Sequence, residues 1–98
     1  MRTTRDISAL FSLELVGDDQ VQLLGAAIST SHLAPGFLFI AVQGAHSHGL
    51  DHLDLAIQNG AVAVLTDRKV EVSIPALYHP NPRDIAGLIS SEIFETGD

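Results

Sequence analysis

Two apolar runs organise the chain. Phe37-Leu38-Phe39-Ile40-Ala41-Val42 and Ala61-Val62-Ala63-Val64-Leu65 have strand length and are apolar at successive positions. That is the pattern of strands covered on both faces. Between them Leu53, Ala56 and Ile57 recur at helical spacing, predicting a helix from about Asp51 to Asn59. Asp51 stands at the N-cap position, Asp54 complements the positive end of the helix dipole, and Asn59-Gly60 stops the helix. Strand, helix, strand at this spacing predicts a βαβ unit with a right-handed crossover. Pro35-Gly36 ahead of the first run predicts a type II turn, in which Pro fixes φ and Gly accepts φ > 0.

The flanks carry weaker patterns. Ile7, Leu10, Phe11 and Leu15 predict a short amphipathic helix over 4–15, ended by Gly17-Asp18-Asp19. Val21 to Ile28 reads as a strand, with Gly25 marking a bulge or a close approach. Ser29-Thr30-Ser31 follows as a polar turn, and Asp67 to Glu71 is a charged one. Ile74 to Tyr78 is a shorter strand whose Pro75 predicts an edge position or a strand start. Asn81 as N-cap and Pro82 at the first helical position open a last helix, with Ile85, Leu88, Ile89 and Ile93 as its apolar stripe. The fold class is therefore α/β: a small mixed sheet of four to five strands with a βαβ unit and two to three helices. The 98 residues make one domain.

Charge narrows the partners. Five Lys and Arg against twelve Asp and Glu give a formal charge of -7. Such a chain gains no counterion-release energy on nucleic acid and no attraction to an anionic membrane, so neither is an expected partner. No run approaches the ~20 apolar residues of a membrane span. Asp6 and Glu14 interrupt the N-terminal stretch where a signal peptide would need an apolar run. Cysteine is absent, which excludes disulfides, thiolate metal sites and cysteine nucleophiles. A cytoplasmic location is the expectation.

The distribution of charge is more informative than its total. From Gln20 to Leu50 there is no Asp, Glu, Lys or Arg, yet the segment holds Ser29, Thr30, Ser31, His32, Gln43, His46, Ser47 and His48. One reading is a pair of central strands joined by small polar turns. The other is a surface that recognises a neutral polar group through hydroxyls, imidazoles and backbone amides. The two are compatible, since strands can be core while the turns between them bind.

Much chemistry has no motif here. Neither G-x-x-x-x-G-K-[ST] nor G-x-G-x-x-G occurs, no Ser sits in G-x-S-x-G, and Lys69 is the single lysine. No catalytic residue and no cofactor are expected in this chain. His46, His48 and His52, with Asp51 and Asp54 nearby, offer three imidazoles that could hold zinc. No matching ligand set stands elsewhere, so no metal is expected at these residues, and a polar loop lining a pocket, or a solvated loop, is the expectation.

Ile28-Ser29-Thr30-Ser31, then Pro35-Gly36-Phe37-Leu38-Phe39-Ile40-Ala41-Val42, Gly44, Gly49, Ala56 and Asn59-Gly60-Ala61-Val62-Ala63-Val64, over about residues 21–94, resembles the N-terminal domain of the Mur ligases. These are the ATP-dependent amino-acid ligases of peptidoglycan synthesis. The nearest class is the tripeptide synthetase (MurE) type, which Asn81-Pro82-Arg83 also suits, followed by the ligase adding D-alanyl-D-alanine. The family pattern is D-S-R, a spacer, P-G-D-L-F-V-A-L-x-G, a D-G-H element, then A-x-x-x-G-A-x-A-V. Here Ser29-Thr30-Ser31 replaces D-S-R, Phe37 replaces the Asp after P-G, and His48-Gly49-Leu50 replaces D-G-H.

The resemblance implies a fold of that kind and a domain that holds the UDP end of UDP-N-acetylmuramoyl-peptide. It assigns uracil contacts to Ile28 and Thr30 on one turn and to Ala45, His46 and Ser47 on the other. It also implies a longer enzyme of cell-wall biogenesis, in which a central domain, this chain's partner, binds ATP and Mg²⁺, so that residues 1–98 alone are inactive. The alternative is a non-catalytic relic or interaction domain that keeps the fold and has lost nucleotide binding.

Overall fold

The two apolar runs lie side by side at the centre of the molecule. A computed structural model describes residues 2–95. In chain order the elements are β1 (Arg2–Thr3), α1 (Thr4–Phe11), β2 (Glu14–Val16), β3 (Gln22–Leu23), β4 (Gly25–Ala27), β5 (Phe37–Ala41), α2 (Leu53–Gln58), β6 (Ala61–Thr66), β7 (Ala76–Tyr78) and α3 (Pro82–Glu95). The main sheet has five strands in the order β2-β7-β6-β5-β4. β4, β5, β6 and β7 run parallel, and β2 is antiparallel to β7. β1 and β3 form a separate antiparallel ribbon. The α/β class, the mixed five-stranded sheet and the βαβ unit β5-α2-β6 follow the sequence pattern.

Alternation along β5 and β6 divides the core into two layers. Leu38, Ile40, Ala63, Leu65 and Leu77 pack under α1 and α3 with Ile7, Ile89 and Ile93. Phe39, Ala41, Val64 and Ala76 pack on the opposite face under Leu53 and Ala56 of α2. Both central strands are thus covered on both sides, which is why they read as continuous apolar runs. Among the described residues no helix is long and apolar enough to cross a membrane.

Several boundaries differ from the sequence expectation. The first helix ends at Phe11, because Ser12 adopts a left-handed cap (φ 56°) and donates its N–H to the Ser8 carbonyl. The chain then turns, and Leu15, expected on the helix, pairs with Leu77 in β2. Val21–Ile28 is not one strand. It divides around Leu24 into β3 and β4, which belong to different sheets, and Leu24 donates its N–H to the Gly36 carbonyl at 2.9 Å. Asp51 does not cap α2. A 3-10 turn, Gly49–His52, precedes that helix; His48 is its cap, and Asp51 accepts the His48 N–H. Pro75 precedes β7, which is an interior strand between β6 and β2, so Pro75 marks a strand start and not an edge. On α3 Leu88 is 63% exposed, and Ala86 takes its place in the core. The type II turn is present: Phe37 donates its N–H to the Ala34 carbonyl at 3.1 Å, and Gly36 has φ +88°.

Candidate functional site

Four parallel strands end on one side of the sheet, and the loops that follow them carry the polar residues. In open α/β sheets this carboxyl edge is where ligands bind. After β4, Ile28 leads into a 3-10 turn, Thr30–His32, capped by Ser29. Ser29 Oγ lies 2.8 Å from Ser31 Oγ and accepts the Ser31 N–H. The Thr30 carbonyl accepts from Asn59 Nδ2 at 3.1 Å, so the backbone of this turn is tied to the end of α2.

After β5 the chain folds back as a short loop. Gln43 and His48 form an isolated antiparallel bridge. Gly44 donates its N–H to the Ser47 carbonyl and Gly49 its N–H to the Val42 carbonyl, both at 2.8 Å. Ala45, His46 and Ser47 form the exposed tip. His48, at the root, is 4% exposed. Its Nδ1 accepts the Leu50 N–H at 3.0 Å, and its Nε2 lies 2.7 Å from Asp67 Oδ1, beyond the end of β6. Burial pushes the Asp67 carboxyl up. The hydrogen bond from His48, its own backbone amide and Arg68 outweigh that, and hold it below the usual carboxylate range.

Two arginines converge on the same loop. Arg68, after β6, donates to Gln43 Oε1 at 2.8 Å, and Arg83, in the first turn of α3, donates to the Gln43 carbonyl at 3.3 Å. The cleft beside them has a volume of about 240 Å³ and is lined by Val42, Gln43, Asp67, Pro80, Asn81, Pro82, Arg83 and Asp84. Arg2 and Lys69, by contrast, are paired with Glu92 and Glu14. A larger groove of about 560 Å³ runs between β4 and α3, with Ile28, Ser29, His32, Phe37, Ser90 and Phe94 in its lining. Phe37 and Phe94 meet edge to face there, 6.1 Å between ring centres.

The structure places the residues singled out from sequence as follows. Ile28 lines the larger groove; Thr30, Ala45, His46 and Ser47 do not. Thr30 lies in the 3-10 turn, and Ala45, His46 and Ser47 at the loop tip. Both turns leave the carboxyl ends of neighbouring parallel strands, and among the described residues no hydrogen bond joins them. The imidazoles do not converge: His46 and His52 are exposed and both ring nitrogens of His48 are engaged. No group of three His, Cys, Asp or Glu side chains suited to a metal occurs among the described residues. Sequence reasoning gave no site role to Asp67, Arg68 or Arg83, and named Gln43 only as one polar residue of the uncharged segment. Their signal was positional: each stands within two residues of the carboxyl end of a parallel strand or at the start of the helix after one.

The family model described as "Mur ligase family, catalytic domain" matches residues 23–96. The chain belongs to the Mur ligase family. It is 35% identical over 103 residues to a UDP-N-acetylmuramyl-tripeptide synthetase of Leifsonia xyli, an alignment covering 99% of this chain and 20% of that protein. It is 40% identical over 57 residues to a UDP-N-acetylmuramoyl-L-alanyl-D-glutamate–2,6-diaminopimelate ligase of Caldanaerobacter subterraneus, covering 58% of this chain and 12% of that one. Among solved structures, the MurF ligase of Thermotoga maritima in complex with ADP aligns over 70% of this chain and 16% of its own, with TM-score 0.55 and 26% identity. A 2,6-diaminopimelate ligase structure aligns over all of this chain and 20% of its own, with TM-score 0.74 and 19% identity, a likeness of fold alone. This Mur ligase chain thus spans about one fifth of the length of the first of these relatives.

Proposed function

We propose that this chain is the N-terminal domain of a peptidoglycan-synthesis ligase of the tripeptide synthetase type, and that it holds the UDP end of UDP-N-acetylmuramoyl-peptide. The observation that carries the reading is the pair of uncharged polar turns, 28–32 and 43–48, at the carboxyl ends of neighbouring parallel strands. Uracil is flat and neutral, with two carbonyl acceptors and one ring N–H donor. Hydroxyls and backbone amides specify such a ring without a charged side chain. Ile28 and Thr30 approach it from one turn, and Ala45, His46 and Ser47 from the other. Arg68 and Arg83, already beside Gln43, supply cations for the diphosphate where Ser31 has none. ATP and Mg²⁺ belong to a central domain of the same cytoplasmic enzyme, which this domain adjoins, and this chain alone performs no ligation.

The test is an NMR titration of the 98-residue chain with UMP, using AMP as control. Shifts confined to 28–31 and 43–48, seen with UMP and not AMP, are expected, at an affinity on the order of millimolar for this fragment of the substrate. Thr30→Ala is expected to weaken UMP about fivefold, the loss of one hydrogen bond. Equal responses to both nucleotides would establish the relic reading instead.

A further inference from the structure

We infer that His48 and Asp67 form a positioning pair that fixes the 43–48 loop in the shape its ligand requires. His48 is engaged with two segments of chain, the turn that follows it and the end of β6. Its backbone N–H donates to Asp51 Oδ2 at 3.2 Å. Its Nδ1 accepts the Leu50 N–H, so that nitrogen is bare and the ring hydrogen sits on Nε2. Nε2–H therefore donates to Asp67 Oδ1 at 2.7 Å, a short bond to a carboxylate. One buried imidazole thereby caps the turn that starts at Gly49 and ties the root of the β5 loop to the end of β6.

The geometry anchors an exposed tip at a buried root. Ala45, His46 and Ser47 are solvated, yet the residue that follows them is 4% exposed. Without the pair, the loop keeps the two backbone bonds at Gly44 and Gly49 and the arginine contacts to Gln43. None of these fixes the loop to Asp67. His48 and Asp67 act on the ligand through the loop and not by contact. With the His48 ring neutral, Arg68 is the cation that bears on the Asp67 carboxylate. The consequence for ligand affinity rests on the uridine reading above.

The test compares the wild-type chain with Asp67→Ala and Asp67→Asn, since Asn retains an oxygen that accepts from Nε2–H. Ring ¹⁵N shifts of wild-type His48 are expected to show the hydrogen on Nε2. Asp67→Ala is expected to speed amide exchange at Gly44, Gly49 and Leu50 about tenfold. Ile40 and Leu65 amides should stay within about twofold, as local opening requires. UMP binding should weaken by about fivefold or more in Asp67→Ala and stay within about twofold of wild type in Asp67→Asn. A ring hydrogen on Nδ1, unchanged loop exchange in Asp67→Ala, equal acceleration in the core, or loosening of the loop with UMP affinity intact would each overturn the pair. Absence of UMP shifts in the wild-type chain would overturn the uridine reading and the pair's claim on that ligand. The tautomer and exchange results would still judge the loop.

Discussion

Gly49 is the residue on which the loop settles against β5. A Cβ there would stand 2.8 Å from Ala41 Cα and 2.9 Å from the Val42 nitrogen, both backbone atoms of neighbouring chain that cannot swing aside. Gly49→Ala is therefore expected to cost about 1–3 kcal/mol, as overpacking does, with amide shifts centred on 42–50. Gly87, midway along α3, is the control: a Cβ there meets nothing within 4 Å. Gly87→Ala should stabilise by about 0.5–1 kcal/mol through helix propensity and the unfolded chain. Urea unfolding of both variants checks the pair. Two carboxyls give a pH prediction at the same scale. The Thr3 N–H, countered by desolvation and helped by the Thr3 hydroxyl and Arg2, holds Asp6 below the usual aspartate range, and Asp67 is also held low. A depressed folded-state pKa contributes stability above the unfolded value, about 3.9, and that stability is lost as pH falls through the folded value. Acid unfolding should accordingly show a loss beginning near pH ~4 that is shallower in Asp6→Asn and in Asp67→Asn.

Among the elements, α3 separates what periodicity reveals from what it conceals. Leu88 and Ile89 are adjacent and equally apolar, but Ile89 is fully buried on the sheet and Leu88 is 63% exposed. Ile89→Ala should cost about 2–5 kcal/mol and Leu88→Ala no more than about 0.5 kcal/mol, a contrast that thermal unfolding can read directly. The strands β5 and β6, the helix between them and the start of α3 at Pro82 were legible in the sequence. Each rests on a local pattern: a continuous apolar run, a helical recurrence, or a proline at the first turn. Tertiary contacts decided the rest. Leu15 keeps helical spacing from Phe11, and only the left-handed Ser12 turns it into β2. Val21–Ile28 carries strand residues throughout, and its division depends on β1 and β5 competing for its two ends. In the candidate site, the uncharged turns could be located from composition. The partner of His48 could not, because Asp67 lies 19 residues away and becomes its neighbour only when β5 and β6 pair.

For the whole molecule, the N-terminal segment is the unexpected contributor. The family match begins at residue 23, yet residues before it complete the fold. Ile7 is fully buried and Leu13 is 8% exposed, both in the layer beneath α3. α1 is secured by a capping box in which Thr3 and Asp6 exchange hydrogen bonds. β2 pairs with β7 over Glu14–Val16 and so covers an edge that would otherwise present unpaired N–H and C=O groups. A chain beginning at Val21 would lose β1, α1 and β2 together. It would expose the Leu77 and Ile89 face and turn β7 from an interior strand into an open edge. We expect that truncated chain to unfold at a markedly lower temperature, since losing Ile7 and Leu13 alone removes about 3–6 kcal/mol of apolar burial. It should also self-associate through the bared β7. Calorimetry combined with light scattering on the two chains is the measurement. A truncated chain that stays monomeric and melts with the 98-residue one would show that residues 1–20 merely decorate a core complete without them.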